Sequence, residues 1–120
     1  MKLVIGYFYK EDLNLYGDNG NVEILVARAK KRGFDVDVTL IDKNVNAKSL
    51  DNKNINLIFM GGGPDSGQKE MYQDLTTDKK DFLKKYIENN GVGLFVCGSY
   101  QLLGKYYKAS DGSMLDGLGF

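Results

Sequence analysis

The chain has 120 residues, with 16 basic and 16 acidic side chains in balance, one cysteine and no histidine. That length allows one domain at most, burying roughly two-thirds of its unfolded surface. Zero net charge and the lack of a basic run give no reason to expect a nucleic-acid or membrane partner. A lone cysteine cannot close an internal disulfide, which suits a reducing cytosol, so a cytoplasmic location is expected. The apolar run after Met1-Lys2 is too short for a signal peptide or a membrane span.

Leu3-Val4-Ile5-Gly6-Tyr7-Phe8-Tyr9 is nearly all apolar and predicts a strand buried on both faces. A polar loop from Asn14 to Asn21 follows. Asp18 or Asn19 is placed to cap a helix running to about Arg32. Val22, Leu25, Val26 and Ala29 form its apolar stripe, and Gly33 ends it. Phe34 to Ile41 alternates with period two and predicts a second strand, nearer an edge. Asp42 to Asn54 is polar surface. Ile55 to Met60 predicts a third strand, running into Gly61-Gly62-Gly63-Pro64. A helix is expected from about Asp78 to Asn90, burying Phe82, Leu83, Tyr86 and Ile87 and stopped by Gly91. Val92 to Val96 predicts a fourth strand, and Ser99 to about Tyr107 a last helix.

Strands alternating with helices specify an α/β fold, three-layered, with a mostly parallel sheet. Ligands of such sheets gather at the carboxyl ends of the strands. Lys10 to Asn21, Gly61 to Gln68, and Cys97 to Gln101 all follow strands, so they are expected to converge.

Cys97 ends an apolar run and is followed by small residues and a fresh helical pattern. A thiol at such a turn sits near free backbone N–H groups, which stabilise a thiolate and can hold an oxyanion. Taken alone, the same cysteine reads rather as a small hydrophobe closing a core strand; the residues around it point the other way. Gly61-Gly62-Gly63 allows positive φ, close backbone approach or an anion nest, or simply a tight turn. The pattern is neither a Walker loop nor GxGxxG. Gln101 lies one helical turn beyond Cys97 and faces the same end of the helix, or plain solvent. A cysteine nucleophile usually needs a histidine base, and this chain has none.

Three blocks together resemble the class I glutamine amidotransferase family, in its cobyric-acid-synthase-type branch. They are Leu13-Asn14-Leu15-Tyr16-Gly17-Asp18-Asn19-Gly20-Asn21; Gly61-Gly62-Gly63-Pro64-Asp65 with Gln68; and Cys97-Gly98-Ser99-Tyr100-Gln101-Leu102-Leu103-Gly104. Asp116-Gly117-Leu118-Gly119 extends the likeness, which is nearest to the glutaminase subunits that serve lipid II amidation. The resemblance implies a flavodoxin-like sheet, incomplete at its C-terminus. It implies that Cys97 attacks the amide of glutamine, releasing ammonia through a glutamyl thioester. Gly61, Gly62, Gly63 and Gly98 would form the oxyanion hole, and Gln101 would help hold glutamine. No metal or cofactor is implied in this chain. The implied partner is a Mur-ligase-like synthetase subunit that uses ATP to activate the stem-peptide glutamate of lipid II.

Family members run well past this length and carry their histidine downstream of the cysteine. Residues 1–120 are therefore expected to be the N-terminal part of a glutaminase domain, poorly active alone. They are also expected to self-associate, as homo-oligomers, through an incomplete sheet. Two other classes fit the same scaffold: a non-catalytic small-ligand or partner-docking domain, and another cysteine-elbow enzyme such as a DJ-1-like hydrolase or a cysteine peptidase. A cobyrinate-type acceptor is the alternative within the family.

Overall fold

The computed structural model describes residues 1–13 and 18–120. Four strands form one parallel sheet: β1 (Lys2–Phe8), β2 (Asp35–Ile41), β3 (Leu57–Met60) and β4 (Val92–Phe95), in the order β2-β1-β3-β4. Helix α1 (Asn19–Lys31) joins β1 to β2, and a long helical segment joins β3 to β4. These crossovers run in opposite directions along the sheet. Right-handed connection then places their helices on opposite faces, which gives the three layers. The α/β class and parallel sheet expected from the sequence are both present.

The two faces follow from the pleat. Phe8, Ile58 and Met60 point to one side, where they join Ile41, Met71, Leu75 and Leu83 in the main core. Tyr7 and Phe59 point to the other and meet Val22 of α1. The second face is thinly covered at β4, where Val92 is 60 % and Leu94 42 % exposed. Edge strand β2 is mostly exposed, Val38 and Leu40 included, so the alternation its period-two sequence predicts breaks at Asp37–Val38, and only Ile41 is buried.

Between β3 and β4 the sequence reading finds one helix, from Asp78 to Asn90. The structure has a continuous helical segment starting 13 residues earlier: α2 (Asp65–Asp74), a π turn (Leu75–Lys79) and α3 (Lys80–Glu88). Its inward residues Met71, Leu75, Lys79 and Leu83 recur every fourth position. An α-helix turns once per 3.6 residues, so three such steps slip by about one residue. The π turn absorbs that residue and keeps the stripe on the core. A lysine in the stripe hides this helix from a hydrophobicity pattern.

Lys79 is 1 % exposed. Its Nζ donates to Asp74 Oδ2 at 2.7 Å, and the Tyr9 hydroxyl donates to the same oxygen. Burial first, then the hydrogen bond to Asp74, holds the Tyr9 phenol well above its ordinary pKa.

The C-terminal region also departs from expectation. Helix α4 spans only Gly98–Leu103, and Tyr106–Lys108 is a strand, β5, paired antiparallel with β6 (Met114–Asp116). The helix stops because the Leu102 and Leu103 carbonyls accept from the N–H groups of Leu118 and Phe120, both at 2.7 Å. Asp65 ties the hairpin to α2, accepting from the Ser110 N–H at 2.9 Å and its hydroxyl at 3.0 Å. Among the described residues, no helix is long and apolar enough to cross a membrane.

Removing one partner of a buried ion pair leaves an uncompensated charge. Asp74→Ala should therefore destabilise the fold by about 3–5 kcal/mol. The double variant Asp74→Leu/Lys79→Met, which removes both charges and keeps the apolar bulk, should cost far less. Urea unfolding of the two variants checks this, and equal losses would show that the pair contributes only by packing.

Candidate active site

Strand order reverses between β1 and β3: the chain leaves β1 toward β2 and returns past it to β3. In parallel sheets the crevice at such a point, at the carboxyl ends of the strands, is where ligands bind. Three segments leave the sheet there. Tyr9, with φ 53°, turns the chain off β1 while its N–H donates to the Ile41 carbonyl at 2.8 Å. The Gly61–Gly63 run follows β3, and Cys97 follows β4. Part of the first loop motif, Asn14 to Gly17, lies outside the described residues.

Cys97 occupies the sharp turn between β4 and α4. The Val96 N–H still pairs with the Met60 carbonyl at 3.0 Å, and one residue later the chain reverses. Cys97 takes φ 55°, ψ −115°, a conformation that costs an L-residue roughly 1–3 kcal/mol and that clusters at functional sites. Strain of this kind at a strand-to-helix turn lifts a nucleophile clear of the sheet. The thiol is exposed, so the buried-hydrophobe reading of this cysteine is set aside. With six residues, α4 is a short helix, and its dipole is correspondingly weak. What it supplies is local: the Gly98 N–H, next to the thiol, has no hydrogen-bond partner among the described residues. Gln101 sits one turn on, its side chain exposed and its N–H 3.3 Å from the Cys97 carbonyl.

The glycine run is where the segments touch. A β-carbon on Gly61 would stand 2.5 Å from the Leu13 carbonyl oxygen and 2.6 Å from Asp18 Cβ. On Gly62 it would stand 3.0 Å from Cys97 Cβ and 3.5 Å from Sγ. On Gly63 it would meet Leu13 Cδ2 at 2.7 Å and the Asp12 carbonyl at 3.0 Å. The run is thus a bare backbone platform, with the first loop against Gly61 and Gly63 and the cysteine against Gly62.

Three buried polar side chains frame this platform. Asp18, 3 % exposed, does not cap α1 through its side chain as the sequence suggests. Its carboxylate turns inward and accepts from the Gly62 N–H at 3.3 Å. Ser99, fully buried, donates to the Met60 carbonyl at 2.6 Å, with the Val96 carbonyl also in reach at 3.1 Å. Gln68, 2 % exposed, donates from Nε2 to the Tyr107 hydroxyl at 2.7 Å. Its Oε1 fills the space a Gly98 side chain would take, 1.1 Å from the ideal β-carbon. Tyr107 is in turn held above its ordinary pKa by burial. Sequence reasoning gave no role to Ser99 or Tyr107. The small hydroxyl residue just inside the elbow was the one available signal for Ser99, while Tyr107 was hidden by its assignment to a helix. Among the described residues, no cluster of three or more His, Cys, Asp or Glu is placed to hold a metal.

A parallel sheet with an exposed, strained cysteine facing a glycine platform defines an α/β protein of the nucleophile-elbow kind. Residues 4–120 match the CobB/CobQ-like glutamine amidotransferase domain, and the chain belongs to that family. It is 38 % identical over 118 residues to "Lipid II isoglutaminyl synthase (glutamine-hydrolyzing) subunit GatD" of Streptococcus pneumoniae (strain ATCC BAA-255 / R6). It is 40 % identical over 118 residues to the protein of the same name from Staphylococcus aureus (strain N315). Each match covers 98 % of this chain but only 44 % and 47 % of the relative, respectively. The chain therefore spans a little under half the length of these relatives.

The packing of Gly98 against Gln68 yields a direct test. Gly98→Ala forces the Gln68 amide out of its place and breaks its bond to Tyr107, at a cost of about 2 kcal/mol. Gln68→Ala opens the same space, so in the double variant the two losses should fall short of their sum by at least ~1 kcal/mol. Thermal or urea unfolding of the four proteins measures this coupling, and strict additivity would mean the two residues do not share the site.

Proposed function

We propose that this chain carries the nucleophile and amide-binding part of a glutaminase site. The observation that carries the reading is Cys97, exposed and strained at the end of β4, with the glycine run and the Gly98 amide around it. In this reading Cys97 Sγ attacks the side-chain amide carbon of glutamine. Charge gathers on the carbonyl oxygen, where the backbone N–H of Gly98 and those of the glycine run other than Gly62, whose N–H is taken by Asp18, stabilise it. The carbon–nitrogen bond breaks, ammonia leaves, and a γ-glutamyl thioester remains on Cys97. Water then releases glutamate and restores the thiol. Gln101, one turn along α4, lies on the side from which glutamine is held.

Both proton transfers need a base and an acid. The sequence contains no histidine, so in this reading those groups come from outside residues 1–120. Residues 1–120 are accordingly the N-terminal part of a glutaminase domain. The names of the relatives, lipid II isoglutaminyl synthase subunits, support lipid II as the destination of the ammonia; in this reading an ATP-dependent, Mur-ligase-like synthetase subunit amidates its stem-peptide glutamate in the cytoplasm.

General acid–base catalysis contributes typically ~10²–10⁴-fold, so the chain alone should release ammonia from glutamine slower by about that factor than a site completed with a histidine-bearing segment. In the completed site with its synthetase, Cys97→Ser should abolish amidation from glutamine and leave amidation from free ammonium intact. Fast Cys97-dependent turnover by the chain alone would remove the case for an outside base. Glutamine-dependent amidation by Cys97→Ser would show that the nucleophile is another group.

A further inference from the structure

Asp18 is a carboxylate buried to 3 % exposure at the start of a helix that it does not cap. Such a residue normally accepts from the helix's own first N–H groups, and leaving a charge buried without compensation is unfavourable. Here its hydrogen bond goes instead to Gly62 N–H, 44 positions away in sequence. Its Cβ and Cγ press on Gly61, 2.6 and 2.7 Å from where a β-carbon would be. On the other side of the same short run, Gly62 meets Cys97. The Gly61–Gly62 peptide is thus gripped between Asp18 and the thiol.

We propose that Asp18 is a positioning residue for the oxyanion-binding backbone. By fixing the Gly61–Gly62 peptide it sets the direction in which the neighbouring amides present their N–H groups to a carbonyl held over Cys97. A run of three glycines has no side chains of its own to define that direction, and oxyanion stabilisation depends on donors being oriented before charge develops. The inference deepens the glutaminase reading and rests on it.

The test compares Asp18→Leu, similar in size but without an acceptor, with Asp18→Asn, which keeps an oxygen in place. Two readouts are taken on the folded chain. The first is hydrogen exchange of the Gly62 amide by NMR. Asp18→Leu should speed it by tenfold or more, while Asp18→Asn should stay within about threefold of the parent. The second is labelling of Cys97 by two reagents. Iodoacetamide alkylates the thiolate by displacing iodide and develops no oxyanion. An L-glutamine analogue bearing a diazoketone in place of the carboxamide presents a carbonyl to the hole. It forms a carbon–sulfur bond with loss of N₂, the thiol proton passing to the diazo carbon.

Asp18→Leu should slow the diazoketone by about tenfold and leave iodoacetamide within twofold, with Asp18→Asn close to the parent for both. If the Gly62 amide exchanges alike in all three proteins, Asp18 does not position it and the proposal fails. Equal slowing of both reagents would also overturn it, because that marks general loosening of the site. A parent chain inert to the diazoketone but alkylated by iodoacetamide would instead count against the glutaminase reading, and Gly62 exchange would still decide the contact.

Discussion

The site depends on backbone approaching backbone more closely than any side chain permits. Gly61, Gly62 and Gly63 each stand where an added β-carbon would press on another segment, and Gly98 stands where it would overlap the Gln68 amide. Placing four glycines this way costs roughly 0.5–1 kcal/mol each in chain entropy relative to alanine. The parallel sheet bears that cost. Its strands fix the ends of the loops, and the loops need only short reaches to meet over the crevice between β1 and β3. A substitution in the glycine run acts through this geometry even where it touches no reacting atom.

Buried polar groups divide into two networks with different work. Lys79, Asp74 and Tyr9 form a closed set beside the main core, each charge or donor answered within the set. Such a set holds α2, the π turn and α3 in register with the end of β1. Asp18, Gln68 and Ser99 instead reach out of their own elements to the glycine run, to Tyr107 and to the end of β3. Their partners lie 39 to 44 positions away in sequence, so each stitches one loop of the site to a distant element. The hairpin β5–β6 enters the same arrangement through Tyr107, which explains how a segment after the elbow bears on it.

The sheet was legible because its central strands β1 and β3 are buried and read as apolar runs, and because α1 keeps its stripe at Val22, Leu25, Val26 and Ala29. The convergence of three loops followed from topology alone. What hydrophobic periodicity could not reveal were the exceptions to it. Lys79 points inward at a position where a lysine reads as surface, so α2 and the π turn vanished from the pattern. Tyr107 fits a helical stripe after Leu103, yet the Leu102 and Leu103 carbonyls are claimed by Leu118 and Phe120, which ends the helix early. Asp18 satisfies every local rule for a cap and is drawn away by Gly62, a partner that sequence proximity does not suggest. In each case a polar contact overrode a local preference, local for Lys79 and long-range for the helix end and for Asp18.

Holding a nucleophile and moving its proton are separable tasks, and in the proposed reading this chain contains the means for the first. Cys97 is fixed by pairing of Val96 with β3, by Ser99 anchored on Met60, and by Gln68 behind Gly98. None of these contacts involves a group that titrates near neutral pH, so the strained geometry of the elbow does not depend on the protonation of a base. They also rest on the closed side of the sheet, where the main core joins β1, β3, α2 and α3, while the sparsely covered face lies across β4 at Val92 and Leu94. In the proposed glutaminase reading, residues 1–120 can therefore preorganise Cys97 as the nucleophile whatever group serves as its base, since this sequence has no histidine.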